Sequence, residues 1–168
     1  MGSEMCIRDS VGTLEKLGDK AGATRAALAE KLGLRDPGYC WHTERIGIVD
    51  YAQWLAFVTG SLGKMGQDIV LMAQNELDEF QFEGAGGSSA MAHKQNPVKA
   101  EALVTLARFN ATLAGGMQHA MIHEQERSGA AWTLEWMMIP QLCVATGASL
   151  RNASELLEST TSIGTSAQ

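Results

Sequence analysis

A short stretch between residues 84 and 101 gathers the side chains of this sequence that are best suited to chemistry. It contains three glycines and two adjacent serines, followed by His93, Lys94 and Asn96. Glycines let a backbone approach a ligand closely, and the N–H groups of such a turn can bind an anion. Lys94 adds a positive charge, and Asn96 adds both a donor and an acceptor. On composition alone a flexible linker is an equal alternative, but the order of the residues favours an anion-binding loop.

Three long segments, in which apolar residues recur at spacings of three and four, predict amphipathic helices around this loop. They extend from about 43 to 77, from Pro97 to about His123, and from about 130 to 157, where Pro140 predicts a kink. Pro97 suits the first turn of its helix, and a helix N-terminus favours a bound anion. The sequence therefore predicts an all-α fold, a bundle of long helices. Three helices alone would leave apolar surface exposed, which predicts partner helices from other subunits or from further sequence.

The sequence also predicts a close contact between helices, a shorter helix and a turn. Gly60, Gly63 and Gly66 recur at a spacing of three, which places them near one helix face and predicts close packing against another helix. A shorter helical segment ends near Gly33, and the Asp36-Pro37-Gly38 sequence predicts a turn after it.

The composition excludes several classes of function. Apolar residues make up 45% of the chain, which is enough for a core, and the net charge of −6 without a basic run argues against a nucleic-acid partner. No apolar stretch is long enough to span a membrane, and no secretory signal pattern is present. The three cysteines are widely spaced and predict neither a disulfide frame nor a zinc site. We therefore expect a cytoplasmic protein without a nucleic-acid or membrane partner.

The two ends of the chain differ in character from its centre. Residues 1–10 show no helical or strand period and resemble translated adapter sequence, so we expect a leader foreign to the protein. Residues 11–158 are expected to form part of a central helical-bundle domain that includes the loop at 84–97. The polar tail at 159–168 is expected to fray.

A second polar cluster follows the helix that starts at Pro97. His119 and His123 stand at i, i+4 spacing, as metal ligands on a helix do. Two ligands are too few for a metal site, and we expect none. Glu126 and Arg127, considered alone, predict a solvated surface pair.

The order Gly-Ser-Ser-x-Met-x-x-Lys-x-Asn-Pro-x-x-x-Glu, from Gly87 to Glu101, resembles the signature loop of the fumarase/aspartase superfamily. Ala92 departs from the family pattern, which usually has proline there. The resemblance implies a homotetramer of long helices, with sites that combine loops from three subunits and with no cofactor. It implies Ser88 as the catalytic base, with Ser89 as a second choice. His93 is either a substitute base or proton shuttle, or a substrate-contacting or structural residue.

The same resemblance implies a set of substrate-binding residues, most of them in the loop. They are Gly87, Met91, Lys94, Asn96, Glu101, Glu126 and Arg127. The superfamily's other acid–base segments lie upstream of residue 11, so we expect residues 1–168 by themselves to be inactive.

The run His-Glu-Gln-Glu-Arg-Ser-Gly-Ala-Ala-Trp-Thr-Leu-Glu-Trp, which starts at His123, resembles the family of 3-carboxy-cis,cis-muconate cycloisomerases. The segment Trp-His-Thr-Glu-Arg, which starts at Trp41, does so too. Where adenylosuccinate lyases carry an arginine for a nucleotide phosphate, this chain has Trp136, which argues for a small dicarboxylate or tricarboxylate substrate without phosphate. The resemblance implies lactonisation of 3-carboxymuconate in protocatechuate catabolism, the beta-ketoadipate pathway.

Other classes of function stay open at this point. One is an adenylosuccinate lyase-like enzyme that breaks a C–N or C–O bond and releases fumarate. Another is a non-catalytic helical structural protein, and a third is a helical interaction module in which the glycine loop is only a tolerant linker.

Overall fold

The computed structural model describes residues 14–39, 42–83, 86–87, 95–124 and 128–164. Within these ranges the chain forms four α-helices and four short strands. The helices are α1 (Ala21–Leu32), α2 (Ile46–Met72), α3 (Val98–Met117) and α4 (Gly129–Glu158). The strands are β1 (Phe80–Phe82), β2 (Gly86–Gly87), β3 (Gln95–Asn96) and β4 (Thr160–Ile163). Two 3-10 helices, Glu15–Lys20 and Gln118–Met121, precede α1 and follow α3.

The three long helices pack against one another and form the core, as their apolar stripes predict. One cluster of buried residues joins the end of α2 to the start of α3 and includes Ile69 and Leu103. A second cluster joins the start of α2 to the end of α3 and includes Val49 and Met117. The prediction of an all-α bundle is therefore confirmed. No helix in the described ranges is long and apolar enough to cross a membrane.

The helix ends differ from the expected ones by a few residues. The segment expected from about 43 to 77 is helical only from Ile46 to Met72. α3 ends at Met117, short of the expected His123, and the 3-10 helix continues the chain. α4 continues through Pro140 as one helix. The expected helix end near Gly33 is confirmed, because that residue caps α1 with a φ of 65°.

Two of the three regularly spaced glycines lie where α2 meets α3. A methyl group on Gly66 would stand 2.6 Å from the Ala100 carbonyl oxygen, and one on Gly63 would stand 2.5 Å from the Ala107 Cβ. Gly60, in contrast, faces open space. Each step of three residues rotates about 60° short of a full turn, so Gly60 lies about 120° around the helix from Gly66. The prediction of close packing is therefore confirmed for two glycines and is wrong for Gly60.

Strand β4 occupies the place of the frayed tail expected from residue 159. It pairs antiparallel with β1, with Phe80 opposite Ile163. Backbone hydrogen bonds extend this pairing at both ends, from Glu83 N to Ser159 O (2.8 Å) and from Gly164 N to Glu79 O (2.7 Å). These main-chain bonds order the segment although its side chains are polar, because pairing of strands does not require apolar side chains.

Large apolar side chains also remain exposed along the outer faces of the long helices. Among them are Trp54 and Phe57 of α2 and Trp136 and Val144 of α4, each more than half exposed. The expectation that three helices would leave apolar surface uncovered is confirmed. Where exposed apolar side chains form a contiguous patch, the patch marks an interaction face in a protein.

The glycine contacts yield a prediction about stability. Gly66→Ala should lower the free energy of unfolding by about 1–3 kcal/mol, because the methyl group would overlap the Ala100 carbonyl. Gly60→Ala, the matched control, should raise it by up to about 1 kcal/mol, because alanine favours the helix and meets no neighbour. Urea unfolding of the full chain measures both. Equal effects of the two substitutions would contradict this description of the α2–α3 contact.

Candidate functional site

The stem of the glycine loop is a two-residue antiparallel ladder. Gly86 pairs with Asn96, and Gly87 pairs with Gln95. Pro97 follows directly as the N-cap residue of α3, which begins at Val98. The prediction that the loop leads directly into the N-terminus of a helix is therefore confirmed. The residues of the tip lie outside the described residues, and among them are the predicted site residues Ser88, Ser89, Met91, His93 and Lys94.

A polar cavity of about 340 Å³ lies beside this stem. Asn96, Pro97 and Glu101 form one side of it. The other side comes from the end of α2 and the turn after it: Val70, Ala73, Gln74, Asn75 and Glu76. Glu101 is exposed in the first turn of α3. Of the substrate-binding residues predicted from sequence, the structure thus places Asn96 and Glu101 on one cavity, next to Gly87 in the stem.

The C-terminal part of the described chain contacts the segments on either side of the loop. Strand β1, which ends just before the loop, is paired with β4. On the other side Lys99 Nζ, in the first turn of α3, lies 2.9 Å from Glu155 Oε2 of α4. This lysine, by hydrogen bond and charge, holds the pKa of Glu155 below its ordinary value. The end of α4 and strand β4 after it therefore contact both segments that flank the loop.

A second group of polar residues lies where α2 and α4 begin. Arg45 Nε donates to Glu135 Oε1 at 2.7 Å, and Arg45 Nη2 donates to Glu135 Oε2, so the pair is bidentate. Their side chains are 8% and 3% exposed. His123 Nε2 stands 3.5 Å from Glu135 Oε1, and its side chain is fully buried. Three titratable groups from three separate segments of the chain thus meet inside the protein.

The segment that the sequence singled out for Glu126 and Arg127 is held at both flanks. Those two residues lie outside the described residues. Before them, His123 is buried beside Glu135. After them, Ser128 is 5% exposed and precedes α4 as its N-cap residue. The Ser128 hydroxyl donates to the Glu124 carboxylate and, with the backbone N–H of Glu124, holds the pKa of Glu124 below its ordinary 4.5.

The two histidines considered as metal ligands do not face one site. His119 is exposed on the 3-10 helix after α3, whereas His123 is buried against Glu135. The described residues contain no group of three or more side chains that could hold a metal ion.

The two groups of predicted site residues stand at opposite ends of α3. The loop stem adjoins its first residue, and the segment from His123 to Ser128 follows its last turn. Since α3 has 20 residues, its ends are separated by about 30 Å. In one copy of this chain, the loop stem and His123, which precedes the Glu126–Arg127 segment, therefore lie at opposite ends of a helix about 30 Å long.

Sequence reasoning assigned no role to Arg45 or Glu135, although one signal was available. Glu135 is the sole charged residue between Gly129 and Leu150. A lone charge within an apolar helix face requires a buried partner. The sequence offers several arginines for that role, and only the packing of α2 against α4 selects Arg45.

Comparisons with known proteins agree on one family. A family model described as lyase matches residues 20–111. The chain is 45% identical over 151 residues to 3-carboxy-cis,cis-muconate cycloisomerase of Pseudomonas aeruginosa, with 88% of this chain and 33% of that protein covered. It is similar to the crystal structure of 3-carboxy-cis,cis-muconate lactonizing enzyme from Pseudomonas putida, with a TM-score of 0.80 and 39% identity over 90% of this chain and 34% of that one. It also resembles a fumarate lyase from Mesorhizobium sp. BNC1, with a TM-score of 0.79 and 33% identity over 91% of this chain and 33% of that one. The chain thus spans about a third of the length of these relatives.

The contact between Ser128 and Glu124 yields a prediction about titration. In Ser128→Ala the pKa of Glu124 should rise towards 4.5, because the carboxylate loses its main donor. The pKa of Glu124 is lower in the folded chain than in the unfolded chain, so the ionised carboxylate stabilises the fold at pH values above about 4.5. This stabilisation is lost as the pH falls through the pKa of the folded state. Carbon-13 NMR titration of the glutamate carboxyl groups measures the shift. An unchanged pKa of Glu124 in the variant would contradict the contact.

Proposed function

We infer the function from the family of the chain. This chain belongs to the lyase family, within the fumarase/aspartase superfamily. We propose that the whole protein is a cycloisomerase that interconverts 3-carboxy-cis,cis-muconate and 4-carboxymuconolactone in the breakdown of protocatechuate. The similarity to relatives with that named activity supports this proposal, and it extends over nearly nine tenths of the chain. We also propose a cytoplasmic location, since the three cysteines are widely spaced and predict no disulfide frame.

The reaction forms a ring, and substrate and product are isomers when both are counted as free acids; starting from the carboxylate, the step takes up one proton. A carboxylate oxygen of the substrate bonds to a carbon of the diene, and a proton is added to the neighbouring carbon. In reverse, a base removes that proton next to a carboxylate, and the ring oxygen departs with the bonding electrons. Negative charge accumulates on the activated carboxylate in the transition state. Lys94, Asn96 and the N–H groups of the loop are suited to stabilise it.

In this proposal Ser88 is the base and Lys94 binds the activated carboxylate. The stem supports the assignment, because Ser88 follows Gly87 and Lys94 precedes Gln95, and those two neighbours are paired across the ladder. The α3 N-terminus directly after the stem adds a partial positive charge. Serine is a weak base unless its oxyanion is stabilised, and the lysine and the helix N-terminus supply that stabilisation. Ser89 and His93 are the alternatives for the base.

The separation of the two groups of site residues supports an assembled site. We propose that the protein forms a homotetramer in which the loop of one subunit meets the Glu126–Arg127 segment of another. The exposed apolar faces of α2 and α4 provide surface for such a bundle. In this arrangement Arg127 contacts the substrate carboxylates together with Lys94, and Glu126 is a further substrate-binding residue.

A lyase that releases fumarate is the second candidate, and the similarity to the Mesorhizobium fumarate lyase favours it. Trp136 argues against the adenylosuccinate lyase-like form of this candidate, because an indole ring does not supply the bidentate grip on a nucleotide phosphate that arginine does. The Trp136 side chain is 64% exposed and its ring lies 5.4 Å from that of Trp132. We therefore favour the smaller substrate without phosphate.

The loop assignment predicts a large loss of activity in two variants of a full-length enzyme that contains this segment. Ser88→Ala and Lys94→Ala should each lower kcat a hundredfold or more, which is about 2.7 kcal/mol of activation free energy. Loss of the conjugated-diene absorbance of 3-carboxymuconate follows the reaction. Lys99→Ala, on the same helix terminus but paired with Glu155, is the control and should retain activity. Full activity of Ser88→Ala would assign the base to His93 instead. A wild type that is inactive on 3-carboxymuconate but active on a succinyl-type substrate would favour the lyase.

The assembled site predicts complementation between two inactive variants. Ser88→Ala and Arg127→Ala should each be inactive alone, because each damages every site of its own tetramer. After the two are unfolded together and refolded, mixed tetramers contain some sites with an intact loop and an intact segment from different subunits. Activity should therefore reappear in the mixture. If the mixture stays as inactive as its parents although mixed tetramers form, the loop and the segment do not meet across subunits.

A further inference from the structure

The ion pair between Arg45 and Glu135 is buried, although an apolar pair in such a place often stabilises a fold equally well. Two charges with 8% and 3% exposed side chains lie at the start of a bundle in which the other buried residues, among those the structure describes, are apolar or neutral polar. Removing such charges from water opposes folding, and well-packed apolar side chains of similar volume often stabilise a protein as well or better. Stability alone therefore does not explain why this buried pair is charged.

Both members of the pair occupy fixed positions in the backbone. Arg45 is the N-cap residue of α2, and its carbonyl oxygen accepts from Ile48 N (3.1 Å) and Val49 N (3.0 Å). Its remaining terminal nitrogen, Nη1, donates to the His42 carbonyl at 3.0 Å. Glu135 lies in the second turn of α4. The bidentate contact thus sets the position of the start of α4 relative to the start of α2.

The pair also lies against one flank of the segment that carries Glu126 and Arg127. His123 Nε2 is 3.5 Å from Glu135 Oε1, and the described residues offer neither ring nitrogen of His123 a hydrogen-bond partner. The imidazole ring is therefore placed by packing and by the field of Glu135. On the other flank, Ser128 begins α4, and its carbonyl accepts from Trp132 N at 3.1 Å. Trp132 in turn lies edge-on to His42, with 5.1 Å between ring centroids.

We propose that Arg45 and Glu135 are positioning residues for substrate binding, which act through His123 and through the start of α4. The pair fixes His123 and the start of α4, which are the described flanks of the segment, and through these flanks it affects substrate binding by Glu126 and Arg127. This inference rests on the proposed function of those two residues. It assigns to Arg45, Glu135 and His123 a role that neither the loop motif nor the helical pattern indicates.

The test replaces the pair by apolar side chains in the full-length enzyme. In the double variant Arg45→Met/Glu135→Leu no buried charge is left without a partner, so the urea midpoint should stay near that of the wild type. If the pair positions the segment, kcat/KM should fall about tenfold to a hundredfold, mainly through a higher KM. Amide hydrogen exchange in residues 119–128 should become faster at the same time.

A matched control uses another buried polar pair in the same bundle. Asn110 Nδ2 of α3 donates to Thr146 Oγ1 of α4 at 2.9 Å, and both residues are buried. Asn110→Leu/Thr146→Val removes a polar contact of similar burial further along α4. It should leave KM and the exchange of residues 119–128 unchanged, since this contact does not adjoin the segment.

The outcomes separate this inference from the proposed function. Wild-type KM and exchange rates in a stable Arg45→Met/Glu135→Leu variant would show that the pair is only structural, and the inference would be wrong. If the wild type does not convert 3-carboxymuconate, the proposed substrate fails, and the exchange rates still decide whether the pair orders the segment. If the apolar pair prevents folding, Arg45→Lys provides the test, because lysine keeps the charge without the bidentate grip. Faster exchange in Arg45→Lys supports positioning, and wild-type exchange contradicts it.

Discussion

The close contact between α2 and α3 is the interaction on which the rest of the structure depends. Gly63 and Gly66 remove the side chains that would separate the two backbones, and the Ala100 carbonyl occupies the space. Because the helices are antiparallel, this contact places the end of α2 beside the start of α3 and so forms the cavity next to the loop stem. It also aligns the start of α2 with the end of α3, where Arg45 meets α4.

A rigid helix between two polar groups has a consequence for chemistry. The loop stem and His123 cannot approach each other on one chain, because α3 holds them about 30 Å apart. In the homotetramer that we propose, a complete site forms where ends of different subunits come together. The apolar side chains left exposed on α2 and α4 suit that requirement, since a helical bundle covers such surface when it assembles.

The two ends of the bundle are stabilised by different physics. At the loop end, main-chain pairing of β1 with β4 and an exposed lysine–glutamate pair flank a stem of only two residues per strand. At the other end a buried, bidentate ion pair and a buried histidine do the same for the second segment. In the proposed function the loop binds an anion, and a short stem leaves its glycines free to adapt to the ligand. The proposed role of Glu126 and Arg127 in substrate binding requires a rigid base, because charged side chains orient a substrate only if their own backbone is fixed.

The sequence predicted the helical class, the ends of the long helices to within about six residues, and the loop that precedes α3. It could do so because apolar spacing, Pro97 and the order of residues after Gly87 act locally. It did not indicate that Gly60 faces open space, that the polar tail pairs with β1, or that Glu135 selects Arg45 as its partner. These depend on which helix faces meet and which distant backbones align. Tertiary packing decides such contacts, because several partners satisfy the local pattern equally well and only one satisfies the geometry of the whole bundle.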